Sequence, residues 1–350
     1  KALTFFKVDD FGVVLTPKLA YVRTERQEIE PSHPPGSPGR VGPRPSPPIT
    51  NWWRAWELLD WQFNCRMRKS IQILEKRQIM TTLISWLGVD SRGPSSVYLA
   101  SDSRISWPGG ARWDMGTKIF SAAQKPELFG YCGDVIFPTQ VLPKVCEQID
   151  RLSQFSIDAL FSQKVNWVLA AINECISEYP SYLLEKFEIL YISRVREGRE
   201  ATFHAALITS FPDVSLNAEF LELPIESGLI ERIGSGRASV KNWYSKWQNS
   251  DAQRTSRAVF GAFCDSLDSK ADPRSGGAPQ LIGLYRKGPP RLFGIIWKNE
   301  RYRLGMRHSE GDVMDDVEWR NSNFERCDPK SMMVLEGAQK QPRPNNVGVS

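Results

Sequence analysis

Thr81 follows Met80 directly, and twenty-one residues later Asp102 stands in Ala100-Ser101-Asp102-Ser103-Arg104. Sixteen residues on is Lys118, at the head of an expected strand. Further along, Gly234-Ser235-Gly236 opens an expected helix, and thirty-seven residues past Ser235 comes Asp272-Pro273-Arg274-Ser275-Gly276-Gly277. The types are a hydroxyl, a carboxylate and an ammonium, followed by a second set of hydroxyls around a carboxylate. A threonine hydroxyl is a feeble nucleophile unless a base takes its proton, so any such chemistry needs a proton acceptor nearby. Histidine is a poor candidate for it: the chain has only His33, His204 and His308, well scattered. The same scatter argues against a multi-histidine metal site, and no metal and no cofactor are expected.

Each residue also has a plain structural reading. Lys118 fits a strand-end surface lysine, and Asp102 with Arg104 an ion pair on one strand. Ser235 is a fitting N-cap for a helix from Arg237. Asp272-x-x-Ser275 reads as a turn with an Asx hydrogen bond, and Gly276-Gly277 as structural under any function. Cys132 reads as a small packed residue.

Taken together, these motifs resemble a proteasome β-type subunit, an N-terminal-nucleophile (Ntn) hydrolase, over about Thr81 to Trp297. The nearest flavour is the bacterial proteasome-like peptidases, where the nucleophile also directly follows the initiator Met. The Asp102–Lys118 and Ser235–Asp272 gaps are as the family has them. The Thr81–Asp102 and Lys118–Gly234 spans are longer, and Met80 stands where processed members usually carry Gly. The resemblance implies a threonine peptidase that cuts peptide bonds through an acyl-enzyme on Thr81, once Met80 and everything before it is gone. An α-amino group titrates near 7.7–8.0, so on a terminal threonine nucleophile and base share one residue. In the same pattern Lys118 sits beside that hydroxyl, and Asp102 keeps the lysine charged and oriented. Arg104 braces the region. Ser235, Asp272 and Ser275 hold the terminal amine and a water for deacylation, with Gly234, Gly236 and Gly276 in support. Gly133, ending Tyr131-Cys132-Gly133, is expected to offer its N–H to the oxyanion, because a missing side chain lets backbone approach. The implied partners are a peptide or unfolded protein as substrate, further copies of the chain in a homo-oligomer or ring, and an ATP-dependent unfoldase. Two other readings stay open: an Ntn amidohydrolase acting on a small amide, and a catalytically silent subunit serving as scaffold.

The elements that must position these residues are legible in outline. Thr82–Asp90 and Ser96–Ser101 read as a hairpin, and Lys118–Ser121 with Leu128–Cys132 as a second strand pair. Helices are expected over about 139–155 and 157–178, the latter with Leu160, Val165, Val168, Leu169, Ile172 and Ile176 at helical spacing. Strands return at 188–193 and 201–208, helices at 237–247 and 252–267, and strands at 280–285 and 291–297. Strands, two helices, strands, two helices, strands argue for an α+β fold with two antiparallel sheets stacked face to face and helices outside. The resemblance implies the same thing in finer form, the four-layer αββα Ntn sandwich.

The domain reading is a leader or upstream segment at 1–79, the Ntn-like domain at 80–307, and a patternless polar tail at 308–350. Residues 31–48 hold eight prolines and three glycines in eighteen, a stretch hostile to helix or central strand. The whole net charge of +5 falls in residues 1–79, with 13 Lys/Arg against 8 Asp/Glu. The balanced remainder has no bulk pull toward nucleic acid or acidic lipid, and neither partner is expected. The six cysteines form no C-x-x-C pair, so reduced thiols in a cytoplasmic protein are expected.

Overall fold

The computed structural model describes residues 4–8, 14–19, 81–107, 109–210, 215–312, 316–340, 343–345 and 347. The chain divides into two compact units, Lys1–Arg66 and Met67–Ser350. In the first, β1 (Thr4–Val8) pairs antiparallel with β2 (Val14–Leu19). The rest of the expected 1–79 leader, its proline-rich stretch included, lies outside the described residues, as does Met80.

In the second unit, β3 (Thr82–Asp90) and β4 (Gly93–Ser101) form the expected hairpin. A short pair follows, β5 (Ile105–Ser106) with β6 (Arg112–Trp113), and then β7 (Ile119–Ser121) pairs with β8 (Glu127–Gly133). Helices α1 (Ile136–Arg151) and α2 (Phe161–Glu178) come next. Then come β9 (Phe187–Val195), β10 (Thr202–Ser210), β11 (Leu216–Leu221) and β12 (Gly228–Gly234). Helices α3 (Arg237–Gln248) and α4 (Ser256–Asp268) precede β13 (Gln280–Tyr285) and β14 (Arg291–Leu292). The chain continues through β15 (Gly294–Trp297), β16 (Glu300–Arg303), β17 (Met306–His308), β18 (Trp319–Asn321) and β19 (Arg326–Cys327). Four α-helices and several antiparallel sheets among the described residues make a mixed, α+β type of fold. Among the described residues, no helix is long and apolar enough to cross a membrane.

One five-stranded sheet has the order β12-β3-β4-β13-β14 and another the order β11-β10-β9-β8-β7. Period-two alternation sends successive side chains of a strand to opposite faces. Leu83, Leu87, Val97 and Leu99 accordingly pack with Leu128, Leu190, Ile192 and Ala205 of the other sheet. From the opposite face, Ile84, Trp86, Tyr98 and Ala100 pack with Val259, Phe260 and Phe263 of α4. A third cluster joins Phe129, Tyr131, Ile189 and Tyr191 to Val141, Leu142 and Val145 of α1 and Val165, Val168 and Ile172 of α2. Each fully buried side chain of this size contributes about 1.5–3 kcal/mol of transfer free energy.

Two expectations change. Residues 291–297 are not one strand: β14 pairs with β13, while β15 leaves to build a further five-stranded sheet, β17-β16-β15-β18-β19. A Cβ on Gly294 would stand 2.2 Å from the Trp319 indole, so glycine lets that ring lie on the backbone where β15 departs. The polar tail expected from His308 is correspondingly part of the fold. β18 pairs parallel with β15, and buried Phe324 sits edge-on to Trp86 and Tyr98.

Register gathers the site at one end of the first sheet. Thr82 faces Gly234 on one side, Leu83 faces Ser101 on the other, and Ser101 faces Gln280. Asp102, the Gly-Ser-Gly turn and the segment before β13 therefore open from a common edge.

Candidate active site

Asp102 is the centre of the arrangement, fully buried just past the end of β4. Its Oδ1 accepts from Lys118 Nζ and from the Thr82 backbone N, both at 2.9 Å. Its Oδ2 accepts from the backbone N of Gly276 at 2.9 Å and of Arg104 at 3.2 Å. Four donors on two oxygens satisfy a charge that would otherwise be very costly to bury. Three are backbone groups from β3, the β4–β5 connection and the loop before β13, so one carboxylate ties three segments together.

Lys118, at the entry to β7, is also fully buried. Beyond Asp102 its ammonium donates to the Arg104 carbonyl. Burial pushes its pKa below that of an ordinary lysine, against the pull of Asp102 toward the charged form. Gln280, at the start of β13, fixes the backbone of both partners. Its Oε1 accepts from Lys118 N at 3.2 Å, and its Nε2 donates to the Asp102 and Gly116 carbonyls at 3.2 and 2.7 Å.

A second network lies on the other side of Thr82. Asp272 Oδ2 accepts from Ser235 Oγ at 2.5 Å and from Ser275 Oγ at 2.8 Å, and Ser275 Oγ is 2.6 Å from Thr82 Oγ1. Burial raises the Asp272 pKa, but the Ser235 and Ser275 hydroxyls and the Arg274 amide outweigh it and leave the carboxyl below its usual value. Arg104 braces this loop. It makes a two-point pair with Asp114 at 2.7 and 2.8 Å and donates to the Pro273 and Ser275 carbonyls at 3.3 Å. A Cβ on Gly276 would stand 2.5 Å from the Arg104 guanidinium carbon, which is why that position carries none.

Thr81 lies between the two networks, buried and immediately before β3. Its carbonyl receives the Ser235 hydroxyl at 3.4 Å and the Gly236 N–H at 3.5 Å. The flanking glycines make this approach possible. A Cβ on Gly234 (φ +88°) would fall 2.1 Å from that carbonyl oxygen, and one on Gly236 only 1.8 Å from Thr82 Oγ1. Thr81 itself has φ +101°, a value β-branched residues avoid, at a cost of about 1–3 kcal/mol.

Of the residues singled out in the sequence, Asp102, Lys118, Arg104 and Gly276 meet in the first network. Ser235, Asp272, Ser275, Gly234 and Gly236 surround the Thr81–Thr82 backbone. Gly133 is tied in less directly: it ends β8 at φ +99°, where a Cβ would lie 2.2 Å from the Lys186 carbonyl oxygen. The preceding residue, Cys132, comes within 3.5 Å of where a Gly234 Cβ would be, and burial pushes its thiol pKa well up. Sequence reasoning missed Thr82, Asp114 and Gln280. None belongs to a spaced motif, and only strand register brings Gln280 to Asp102. Among the described residues, no group of three or more His, Cys, Asp and Glu is placed to hold a metal ion.

No family model and no curated protein matches the chain. Among solved structures it is similar to a crystal structure of eukaryotic HslV from Trypanosoma brucei. The sequence identity is 13% and the TM-score 0.37, over 58% of this chain and 99% of that one.

Proposed function

We propose that this chain is a threonine peptidase of the N-terminal-nucleophile type, with the αββα layering of that class and Thr81 as its nucleophile. The observation that carries the reading is the convergence on Thr81–Thr82 of a buried lysine–aspartate pair and a Ser–Asp–Ser cluster, from segments far apart in the chain. A buried ion pair is poor value as stability alone, since desolvating both charges offsets most of their attraction. Its place beside a strained threonine favours a role in chemistry. The strain supports the same view, because removing the bond to Met80 abolishes the φ torsion of Thr81.

The reaction runs as follows. The freed Thr81 amine takes the proton of its own hydroxyl as Oγ attacks the scissile carbonyl. The Lys118 charge favours the alkoxide and lowers the proton affinity of the amine. The Gly133 N–H receives the developing oxyanion. Collapse of the tetrahedral adduct breaks the C–N bond, the departing amine takes the proton, and an ester remains on Thr81. Ser235, Asp272 and Ser275 hold the terminal amine, which draws a proton from water as that water attacks the ester, and hands it to the departing Thr81 Oγ as the acid is released. A cytoplasmic homo-oligomer that encloses unfolded chains, fed by an unfoldase, is the setting this chemistry suits.

Chains produced from Lys1 and from Met80 provide the test, read by intact mass and by hydrolysis of fluorogenic peptides. A terminal Thr81 is expected, with turnover in the parent chain and none in Thr81→Ala. Equal turnover in Thr81→Ala would end the proposal.

A further inference from the structure

A cavity of about 520 Å³ opens beside the second network, between α3 and the loop from α4 to β13, with Ser235 and Asp272 on its wall. Its lining also carries Ser239, Asn242, Lys246 and Arg274. Two cations thus face one carboxylate, and that carboxylate is occupied. Asp272 already receives Ser235, Ser275 and the Arg274 amide, and its Oδ1 pairs with Arg274 Nε at 3.5 Å. The cation on the wall with no carboxylate partner among the described residues is therefore Lys246, whose ammonium lies 4.0 Å from the centroid of the Trp243 ring. An aromatic face holds an ammonium in place without neutralising it.

We propose that this cavity receives a carboxylate of the substrate, so that the enzyme prefers acidic peptides. The inference rests on the peptidase reading above and adds its substrate class. Lys246 supplies the charge, Asn242 supplies a hydrogen bond, and a basic side chain is excluded by Lys246 and Arg274 together. The carboxylate belongs either to an acidic side chain or to the chain end of a peptide, and both have the same chemistry.

The test uses one peptide series in which a single glutamate is moved through each position and compared with glutamine. Each peptide is made as the free acid and as the C-terminal amide. Binding is measured by calorimetry on the full chain carrying Thr81→Ala, and hydrolysis on the chain with Thr81 intact. The best glutamate peptide is expected to bind about tenfold more tightly than its glutamine counterpart, the scale of one hydrogen-bonded charge. Lys246→Met should remove that preference and Lys246→Glu reverse it, with glutamine peptides hydrolysed as before. If the preference follows the free acid rather than glutamate, the chain end is the ligand. Equal binding of glutamate, glutamine, acid and amide forms, or a preference that survives Lys246→Glu, would overturn the inference. Preferential binding without hydrolysis would instead sink the peptidase reading and leave the carboxylate site standing.

Discussion

At the scale of single residues, the proposed chemistry turns on how Lys118 is held. The ammonium is buried with one charged partner and one carbonyl, and its pKa is lowered by that burial. In the proposed reaction a terminal amine on Thr81 works as a base only when neutral, so kcat/KM should climb with pH through the range of an α-amino group, about 7.7–8.0 or somewhat below. In the same proposal Lys118 works only when charged, so the rate should fall again as pH rises through its lowered pKa, on the acid side of an ordinary lysine. A bell is therefore expected from the pH–rate profile, and Lys118→Met should lose most of kcat with little change in KM. A profile that rises to a plateau through pH 11 would remove Lys118 from the chemistry. Which residues gather here was largely legible in the sequence. Fixed gaps located Asp102, Lys118, Ser235, Asp272 and Ser275, and the structure brings them around one pair of threonines. Thr82 was hidden because its role is a contact across 193 residues, and Asp114 because a lone aspartate in a connection has no spacing to mark it.

At the scale of elements, the glycines of Gly234-Ser235-Gly236 set how closely β12 approaches β3. Gly234→Ala would press a methyl group against the Thr81 carbonyl and force a side chain into φ +88°. A loss of about 2–3 kcal/mol is expected in denaturant unfolding, with peptide hydrolysis abolished. An unchanged midpoint would mean that the turn is looser than described. The β3–β4 hairpin was readable because alternation and an Arg92-Gly93-Pro94 turn mark it. Helix α1 starts three residues early because Asp134 Oδ1 accepts from the Ile136 and Phe137 amides, a cap that precedes the helical pattern. β11 and β12 were missed for different reasons. β11 has no fully buried residue to generate a clean face, and β12 carries Glu231 and Arg232 at its centre.

At the scale of the whole molecule, the C-terminal strands extend the fold beyond what the sequence revealed. Their pieces are two to four residues long, too short for any period to register, and they are held by Trp319 and Phe324 rather than by a pattern. Large apolar side chains stand exposed on the helical side: Ile136 at 65%, Leu160 at 62% and Tyr182 at 70%. Ile136 opens α1, Leu160 precedes α2 and Tyr182 follows it, and exposed apolar side chains of this size suit contact with another copy of the chain. Sedimentation velocity should accordingly give a several-fold multiple of the chain mass, reduced by Tyr182→Glu with Ile136→Glu. A monomer at all concentrations would remove the proposed enclosed chamber but not the proposed hydrolysis. The most direct test of the account is covalent. The chain is treated with a short peptide bearing a carbonyl-centred electrophile, digested, and the adduct located by tandem mass spectrometry. A single adduct on the hydroxyl of an N-terminal Thr81 is predicted, absent from Thr81→Ala. An adduct on another residue, or labelling of a chain in which Thr81 is still joined to Met80, would contradict it.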